Sequence, residues 1–283
     1  MSGYREIVKL LEANAGAKRM SEVFDDFVEM SALAVRNAVD SWGYDEREEQ
    51  YLRVAGRYDR EELNRFAHAL ALVVNAMAEA PCDVLGRLYM ELELGNGRLG
   101  QFYTPYDVAR LMAGMQIDAI AERVRSQGFA RLYEPACGAA AFIVAITQEM
   151  RTAGLNPQTQ LHVTAEDIAP QAVHMAYIHL SLLHVPAVVH RRNTLTMETF
   201  DSWRTPAHIL GGWGWKFRHA DAVERAQKLL DSAPQSDSPP FTTTPCRTAP
   251  GCADLDSGRS RRLLLSPPGD PIGKPLIPLG TAR

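Results

Sequence analysis

The sequence predicts an α/β protein, with a parallel sheet flanked by helices, preceded by a helical N-terminal region. Two observations support this fold class. Between residues 131 and 190, three short apolar segments alternate with two helical segments, which is typical of a strand-helix-strand-helix-strand unit. Before residue 94, apolar residues recur every three to four positions, as they do on the buried face of a helix.

The N-terminal region is predicted to contain several amphipathic helices. Apolar stripes run from Met20 to Val39 and from Leu63 to Met77, and Pro81 ends the second of them. A third helix is predicted from about Asp83 to Leu94, before a glycine-rich stop. A further helix from Tyr106 to Ile117 leads into the core.

The core alternates predicted strands and helices. The strands are expected at 131–133, 161–165 and 187–190, with helices over 139–150 and 169–183 between them. Strands joined by crossover helices pair in parallel. The order of the elements therefore predicts a parallel half-sheet covered by helices.

Composition divides the chain of 283 residues into three regions. We expect a helical region over 1–94, a core over 95–230 and a disordered tail over 231–283, where ten of the 17 prolines lie. With 46% hydrophobic and 23% charged residues, the chain is not collagen, coiled coil or wholly disordered.

The location of the protein is predicted to be cytoplasmic. No run of eighteen apolar residues predicts a membrane span, and the charged N-terminus does not resemble a secretory signal. The four cysteines form no CxxC pair, which fits free thiols in a reducing compartment.

Charge is distributed unevenly along the chain. Residues 1–94 hold 11 basic and 18 acidic residues, residues 95–200 are balanced, and residues 201–283 hold 11 basic and 8 acidic ones. Proteins that bind nucleic acid usually present a basic face. Any contact with DNA is therefore expected from a local patch or from a partner.

Three predicted strand ends form a candidate ligand site, because parallel sheets bind ligands at the carboxyl ends of their strands. The first strand is followed by the small-residue turn 134–138, which leads into a helix whose free N–H groups favour an anion. Asp167 ends the second strand and suits a ribose diol, and Asn193 follows the third and suits a purine edge. These features alone also fit an α/β sheet that binds no nucleotide.

Four segments together resemble the N6-adenine DNA methyltransferases of the type I restriction-modification kind: GQFYTPYDVARLM (100–112), LYEPACGAAAF (132–142), AEDIAPQAVHMAYIHLSLL (165–183) and NTL (193–195). The resemblance covers about residues 84–200. It implies a Rossmann-like core that uses S-adenosylmethionine and methylates adenine N6 in double-stranded DNA. It also implies that a separate specificity subunit can be a partner, and no membrane association.

The resemblance assigns twelve residues to the cofactor. They are Phe102, Thr104, Pro105, Glu134, Pro135, Ala136, Cys137, Gly138, Glu166, Asp167, Asn193 and Leu195. The segments 102–105 and 134–138 match the family's surroundings of the methionine moiety, Asp167 with Glu166 beside it matches the acidic residue at the ribose, and 193–195 matches the loop at the adenine ring. No metal site is expected, because the histidines lack metal-ligand spacing.

Two features depart from the family. Its Gly-Ser-Gly-Gly turn is Gly138-Ala139-Ala140-Ala141 here, which weakens cofactor binding if an alanine must adopt a positive φ and is harmless if the alanines lie inside the helix. The family's catalytic Asn-Pro-Pro-aromatic motif is also missing after Phe200-Asp201, where the next strand is expected. Weak catalytic candidates are Ser238, Pro239, Pro240 and Phe241, and a second Ser-Pro-Pro tripeptide lies at 266–268.

Three functions remain open from the sequence. The chain is a DNA adenine N6-methyltransferase, a cofactor-binding remnant that has lost base capture, or a methyltransferase for small molecules or proteins. The residues at the end of the fourth strand discriminate among them, because an amide and an aromatic side chain there would hold the target adenine.

Overall fold

Helices precede a small sheet in the computed structural model, which describes residues 2–92, 104–218, 222, 225 and 228. These residues all belong to one compact unit, Met1–Ala233. The predicted tail, 231–283, and the candidates Ser238, Pro239, Pro240 and Phe241 lie outside the described residues.

Five helices form the N-terminal region: α1 (Ser2–Ala15), α2 (Met20–Asn37), α3 (Tyr44–Ala55), α4 (Arg60–Glu79) and α5 (Val84–Glu91). The apolar stripes predicted on α2 and α4 are buried, with Phe24, Phe27 and Phe66 among their core residues. Their burial is the main source of stability for these helices.

Side-chain caps fix where two of these helices begin. Asp59 accepts a hydrogen bond from the Glu62 N–H (2.8 Å), and Glu62 accepts one from the Asp59 N–H (2.8 Å), which forms a capping box for α4. The Asp83 carboxylate accepts from the Gly86 N–H (2.8 Å) and starts α5. The glycines predicted to stop α5 lie outside the described residues.

The core follows in nine elements: α6 (Tyr106–Gln127), β1 (Ala130–Glu134), α7 (Ala141–Thr152), α8 (Pro157–Gln160), β2 (Leu161–Asp167), α9 (Pro170–Leu182), β3 (Ala187–Asn193), β4 (Glu198–Arg204) and α10 (Pro206–Leu210). Residues 213–218 are also helical. Helix α6 continues beyond the predicted Ile117 to Gln127, and Gly128, with a φ of 81°, caps its end.

The sheet has the order β1-β2-β3-β4. The first three strands pair in parallel, which confirms the predicted parallel core. Strand β4 is antiparallel to β3, because the chain turns back after Asn193 and pairs Arg191 with Asp201 and Val188 with Arg204. Phe200 and Asp201 thus lie within β4, and the expectation that the next strand follows them is wrong.

The N-terminal helices pack against the core through α9 and β4. The Arg36 guanidinium lies 4.6 Å from the Trp203 ring centre and 3.9 Å from the Asp201 carboxylate. Leu85, in the first turn of α5, donates its N–H to His179 of α9 (3.2 Å). Within the described ranges, no helix is both long enough and apolar enough to span a bilayer.

Candidate functional site

The carboxyl ends of β1, β2 and β3 lie side by side at one edge of the sheet. The strand register pairs Glu134 with Ala165, and Asp167 with Arg191. The loops that follow these strands therefore meet, and the three strand-end segments singled out in the sequence form one site.

The loop after β1 is tied to the end of β2 by two hydrogen bonds. The Cys137 N–H donates to the Glu166 backbone carbonyl (2.8 Å), and the Gly138 N–H donates to the Asp167 carboxylate (2.9 Å). Gly138 has a φ of 53°, in the left-handed region. We call residues 134–140 the cofactor loop, after the role that the resemblance implies for residues 134–138.

The two alanines that replace family glycines occupy different environments. Ala140 has a φ of 68° and is fully buried, whereas Ala141 is the first residue of α7. A left-handed conformation costs a residue with a Cβ about 1–2 kcal/mol. The sequence left open whether these alanines are strained or lie harmlessly inside the helix. The structure shows that Ala140 is in the strained left-handed conformation and that Ala141 is helical.

The cofactor loop delivers the amino end of α7 to the site. No side chain caps this helix. The first N–H groups of a helix lack partners within the helix and carry a partial positive charge, which favours an anion such as a carboxylate. The loop and the helix thus suit the carboxylate end of an amino acid.

Asp167 presents the carboxylate of the site. It is partly exposed, and besides the Gly138 N–H it accepts the Ala169 N–H (3.0 Å). A carboxylate can accept about four hydrogen bonds, so two backbone donors leave capacity for the hydroxyls of a ribose.

Glu166 has a different position from its neighbour, because successive side chains of a strand point to opposite faces. It is only 1% exposed and accepts hydrogen bonds from Arg192 (2.8 Å) and Tyr133 (3.1 Å), and the Thr194 hydroxyl oxygen lies 3.3 Å from its carboxylate. Its carboxylate is committed to the ends of β1 and β3, so Asp167 rather than Glu166 offers an acceptor to a ligand.

The loop after β3 closes the site from the other side. The Asn193 side-chain oxygen accepts the N–H groups of Leu195 (3.1 Å) and Thr196 (3.2 Å), and the Thr194 hydroxyl donates to the Pro135 carbonyl (2.8 Å). The Thr194 bond joins the loop after β3 to the cofactor loop.

Two apolar side chains are exposed at the rim of this edge. Leu195 is 95% exposed and Ile168, which follows Asp167, is 55% exposed. Exposed apolar side chains beside a carboxylate provide surface for the flat face of a base.

Thr104 and Pro105 lie at the start of α6, with Pro105 as its N-cap. They line a cavity of about 320 Å³ that also includes Asp83, Gly86 and Arg87 at the amino end of α5. Phe102 lies outside the described residues.

Electrostatics at the site argue against a cysteine nucleophile. Burial, followed by the nearby Asp167 carboxylate, raises the pKa of the Cys137 thiol well above its usual value. Burial also raises the pKa of Glu134. A thiol that stays protonated is a packed residue rather than a nucleophile. Within the described part of the chain, no cluster of His, Cys, Asp or Glu could hold a metal ion.

Sequence reasoning missed the residues that support the site: Tyr133, Ile168, His179, Arg192 and Thr194. Ile168 contributes exposed apolar surface, whereas the other four act through bonds between segments far apart in the sequence, as between His179 and the Ala139 carbonyl (2.7 Å). A polar residue directly after a strand was the only available signal, and it applies to Thr194.

Solved structures with similarity to this chain include two methyltransferases and one DNA complex. A class I S-adenosylmethionine-dependent methyltransferase from Listeria monocytogenes shares 12% identity over 66% of this chain and 52% of its own, with a TM-score of 0.36. The type I restriction-modification system methyltransferase subunit from Streptococcus thermophilus shares 22% identity over 67% and 39%, with a TM-score of 0.35. The DrdV-DNA complex shares 16% over 65% and 21%, with a TM-score of 0.31.

The chain thus spans about half the length of these structures or less. A search of curated proteins finds no significant match. The sheet, the cofactor loop and α5 fall within residues 83–223, which match the N-6 DNA methylase family. This chain therefore belongs to the N-6 DNA methylase family.

Proposed function

We propose that this chain binds S-adenosylmethionine at the carboxyl edge of its sheet and acts as an adenine-N6 DNA methyltransferase in a cytoplasmic restriction-modification system. The observation that carries the proposal is the meeting of the cofactor loop, the Asp167 carboxylate and the apolar rim at one edge. These groups complement the three chemical parts of the cofactor.

Each part of the edge has a defined role in this proposal. The cofactor loop and the amino end of α7 hold the methionine moiety, and its carboxylate lies near the helix N–H groups. Asp167 accepts the ribose hydroxyls, and Ile168 and Leu195 pack against the adenine ring. The cofactor supplies a methyl group activated by a sulfonium.

The substrate and partner follow from the family. We propose that the acceptor is the exocyclic amine of an adenine in double-stranded DNA, and that a separate specificity subunit selects the sequence. The net charge of −7 over residues 1–94 suits contact with a protein better than with a phosphate backbone.

One observation favours a second candidate, a cofactor-binding protein that does not transfer methyl groups by itself. Strand β4 is antiparallel and ends at Arg204, beside Val188 near the start of β3, so the chain leaves β4 at the amino edge of the sheet. Thr205 there donates its N–H to the Ala187 carbonyl (3.0 Å). A loop at that edge cannot position an adenine beside a methyl donor at the opposite edge.

The test combines binding with transfer. Calorimetry with S-adenosylhomocysteine measures the cofactor site, and incorporation of labelled methyl groups into unmethylated DNA measures the reaction. Binding and transfer together support the methyltransferase. Binding without transfer, with or without a specificity subunit, supports the second candidate, and labelling of proteins or small molecules but not DNA supports a different acceptor. Absence of binding by the intact chain would overturn both candidates.

If Ser238, Pro239, Pro240 and Phe241 serve as the base-capturing loop, Phe241→Ala should abolish transfer and leave cofactor affinity unchanged. Transfer that survives this change and removal of residues 231–283 would show that other residues capture the base.

A further inference from the structure

A buried histidine connects the N-terminal helices to the cofactor loop. His179 lies on α9 and is fully buried. Its Nδ1 lies 2.7 Å from the Ala139 carbonyl, and its Nε2 lies 3.2 Å from the Leu85 amide nitrogen. The imidazole thus bridges the cofactor loop and the first turn of α5.

The two partners determine the protonation state of the ring. A carbonyl can only accept, so Nδ1 carries the proton, and the Leu85 N–H can only donate, so Nε2 is the acceptor. This requires the neutral ring, and burial of His179 lowers its pKa and so favours that form. Both ring nitrogens are therefore used.

The amino end of α5 is built tightly around this contact. The Asp83 carboxylate is 2% exposed, caps the Gly86 N–H and lies 3.9 Å from Nδ1 of His179. A Cβ at Gly86 would collide with the Asp83 carboxylate. The position of Leu85 relative to His179 is therefore fixed by packing and not only by one hydrogen bond.

The second hydrogen bond of His179, to the Ala139 carbonyl, is made to the strained part of the cofactor loop. Ala139 stands between Gly138 and Ala140, whose φ values are 53° and 68°. The hydrogen bond to the Ala139 carbonyl orients the peptide group that joins Ala139 to Ala140. A shift of α5 would therefore be transmitted through His179 to the turn that contains the Gly138 N–H.

We infer that His179 is a positioning residue, through which the amino end of α5 sets the backbone of the cofactor loop for ligand binding. The inference rests on the proposed cofactor site and adds a role for the N-terminal helices in cofactor affinity. In this role His179 does not touch the ligand. It acts through the Ala139 carbonyl.

Two substitutions separate the two hydrogen bonds of the ring. In His179→Asn, the amide lies near the position of Nδ1 and can still donate to Ala139, but the Leu85 N–H loses its acceptor. In His179→Gln, the longer side chain places its oxygen near Nε2 and keeps the bond to Leu85, but the Ala139 carbonyl loses its donor. Each variant removes one buried bond, so we expect similar losses of thermal stability.

If His179 positions the cofactor loop, the two variants should differ in cofactor affinity, whereas a purely structural role predicts equal affinities. Calorimetry with S-adenosylhomocysteine should show about tenfold weaker binding for His179→Gln, the upper end of the effect of one hydrogen bond. His179→Asn should stay within about twofold of the wild type. His184→Asn, at an exposed histidine just beyond α9 whose φ of 53° asparagine also adopts, is the control and should change neither property.

A measurement on the wild-type chain covers the case in which a variant fails to fold. Because Leu85 is coupled to the loop through His179, S-adenosylhomocysteine should slow hydrogen exchange of the Leu85 amide. Equal affinities of the two variants, or unchanged exchange at Leu85 in a chain that binds the ligand, would overturn the inference. A wild-type chain that does not bind would overturn the proposed function, and the inference with it.

Discussion

Replacing Ala140 by glycine should leave the free energy of unfolding nearly unchanged, although the same change at a helical alanine is costly. Ala140 and Ala145 are both fully buried, but Ala140 has a φ of 68° and Ala145 lies inside α7. The two positions therefore differ mainly in backbone conformation, and Ala145→Gly is the matched control.

The magnitude follows from three contributions. Either substitution loses a buried methyl group, which costs about 0.8 kcal/mol, and gains chain entropy in the unfolded state, which costs about 0.5–1 kcal/mol. At Ala140 alone, glycine also relieves about 1–2 kcal/mol of left-handed strain. We expect Ala145→Gly to lower the free energy of unfolding by about 2 kcal/mol, and Ala140→Gly to change it by less than about 1 kcal/mol.

Urea denaturation of both variants measures the difference, and thermal unfolding should agree, at about 2–4 °C per kcal/mol for a unit of this size. Restoring the family's glycine should also keep or improve the affinity for S-adenosylhomocysteine. If Ala140→Gly destabilises the protein as much as Ala145→Gly does, the left-handed conformation of Ala140 is not a source of strain and the reasoning fails.

Four further predictions concern the site, pH and the tail. Asp167→Ala should weaken S-adenosylmethionine binding by about 1–3 kcal/mol in calorimetry, because the ribose hydroxyls lose their hydrogen-bond acceptor. Unchanged affinity would show that Asp167 is not part of the site. Thr194→Val should lower the free energy of unfolding by about 1 kcal/mol and weaken binding of the same ligand several-fold, whereas Thr194→Ser should keep both near the wild-type values. The control is Thr196→Val, at an exposed hydroxyl that makes no hydrogen bond among the described residues. Burial, followed by the neighbouring His208 and Arg131, lowers the pKa of His162 to about 3, so at this residue the unfolded chain binds more protons between pH 6.5 and 3. His162 by itself should therefore contribute a fall of about 2 kcal/mol in stability from pH 7 to pH 5, and His162→Phe should reduce the pH dependence seen in denaturation curves by about that amount. Removing residues 231–283 should leave the melting temperature nearly unchanged, and a marked decrease would show that this segment packs.

The parallel core could be predicted from the sequence because its signal is local. The apolar segments at 161–165 and 187–190 and the helix between them repeat with the periods of strand and helix, and parallel pairing then follows from crossover geometry. The site segments could also be located, since ligands of parallel sheets bind where strands end. The position of Asp167 at the end of β2 was sufficient to identify it as a candidate ligand-binding residue.

The direction of the fourth strand could not be predicted in this way. The segment 198–204 has no pattern that distinguishes a hairpin from a crossover, and its pairing with β3 depends on the turn after Asn193. The consequence is functional, because a parallel strand would end at the site and β4 ends at the opposite edge.

The sequence alone thus determined the α/β class, the helical start and the segments that surround the candidate site, all of which follow from short-range periodicity and residue type. Only the tertiary structure decided that Glu166 is buried support while Asp167 is open, that Ala140 is left-handed while Ala141 is helical, and that His179 joins α5 to the cofactor loop. These properties depend on which side of a strand or turn faces the protein interior and on bonds between residues up to 94 positions apart. Local residue patterns carry no information about such contacts, because they form only when distant segments pack together.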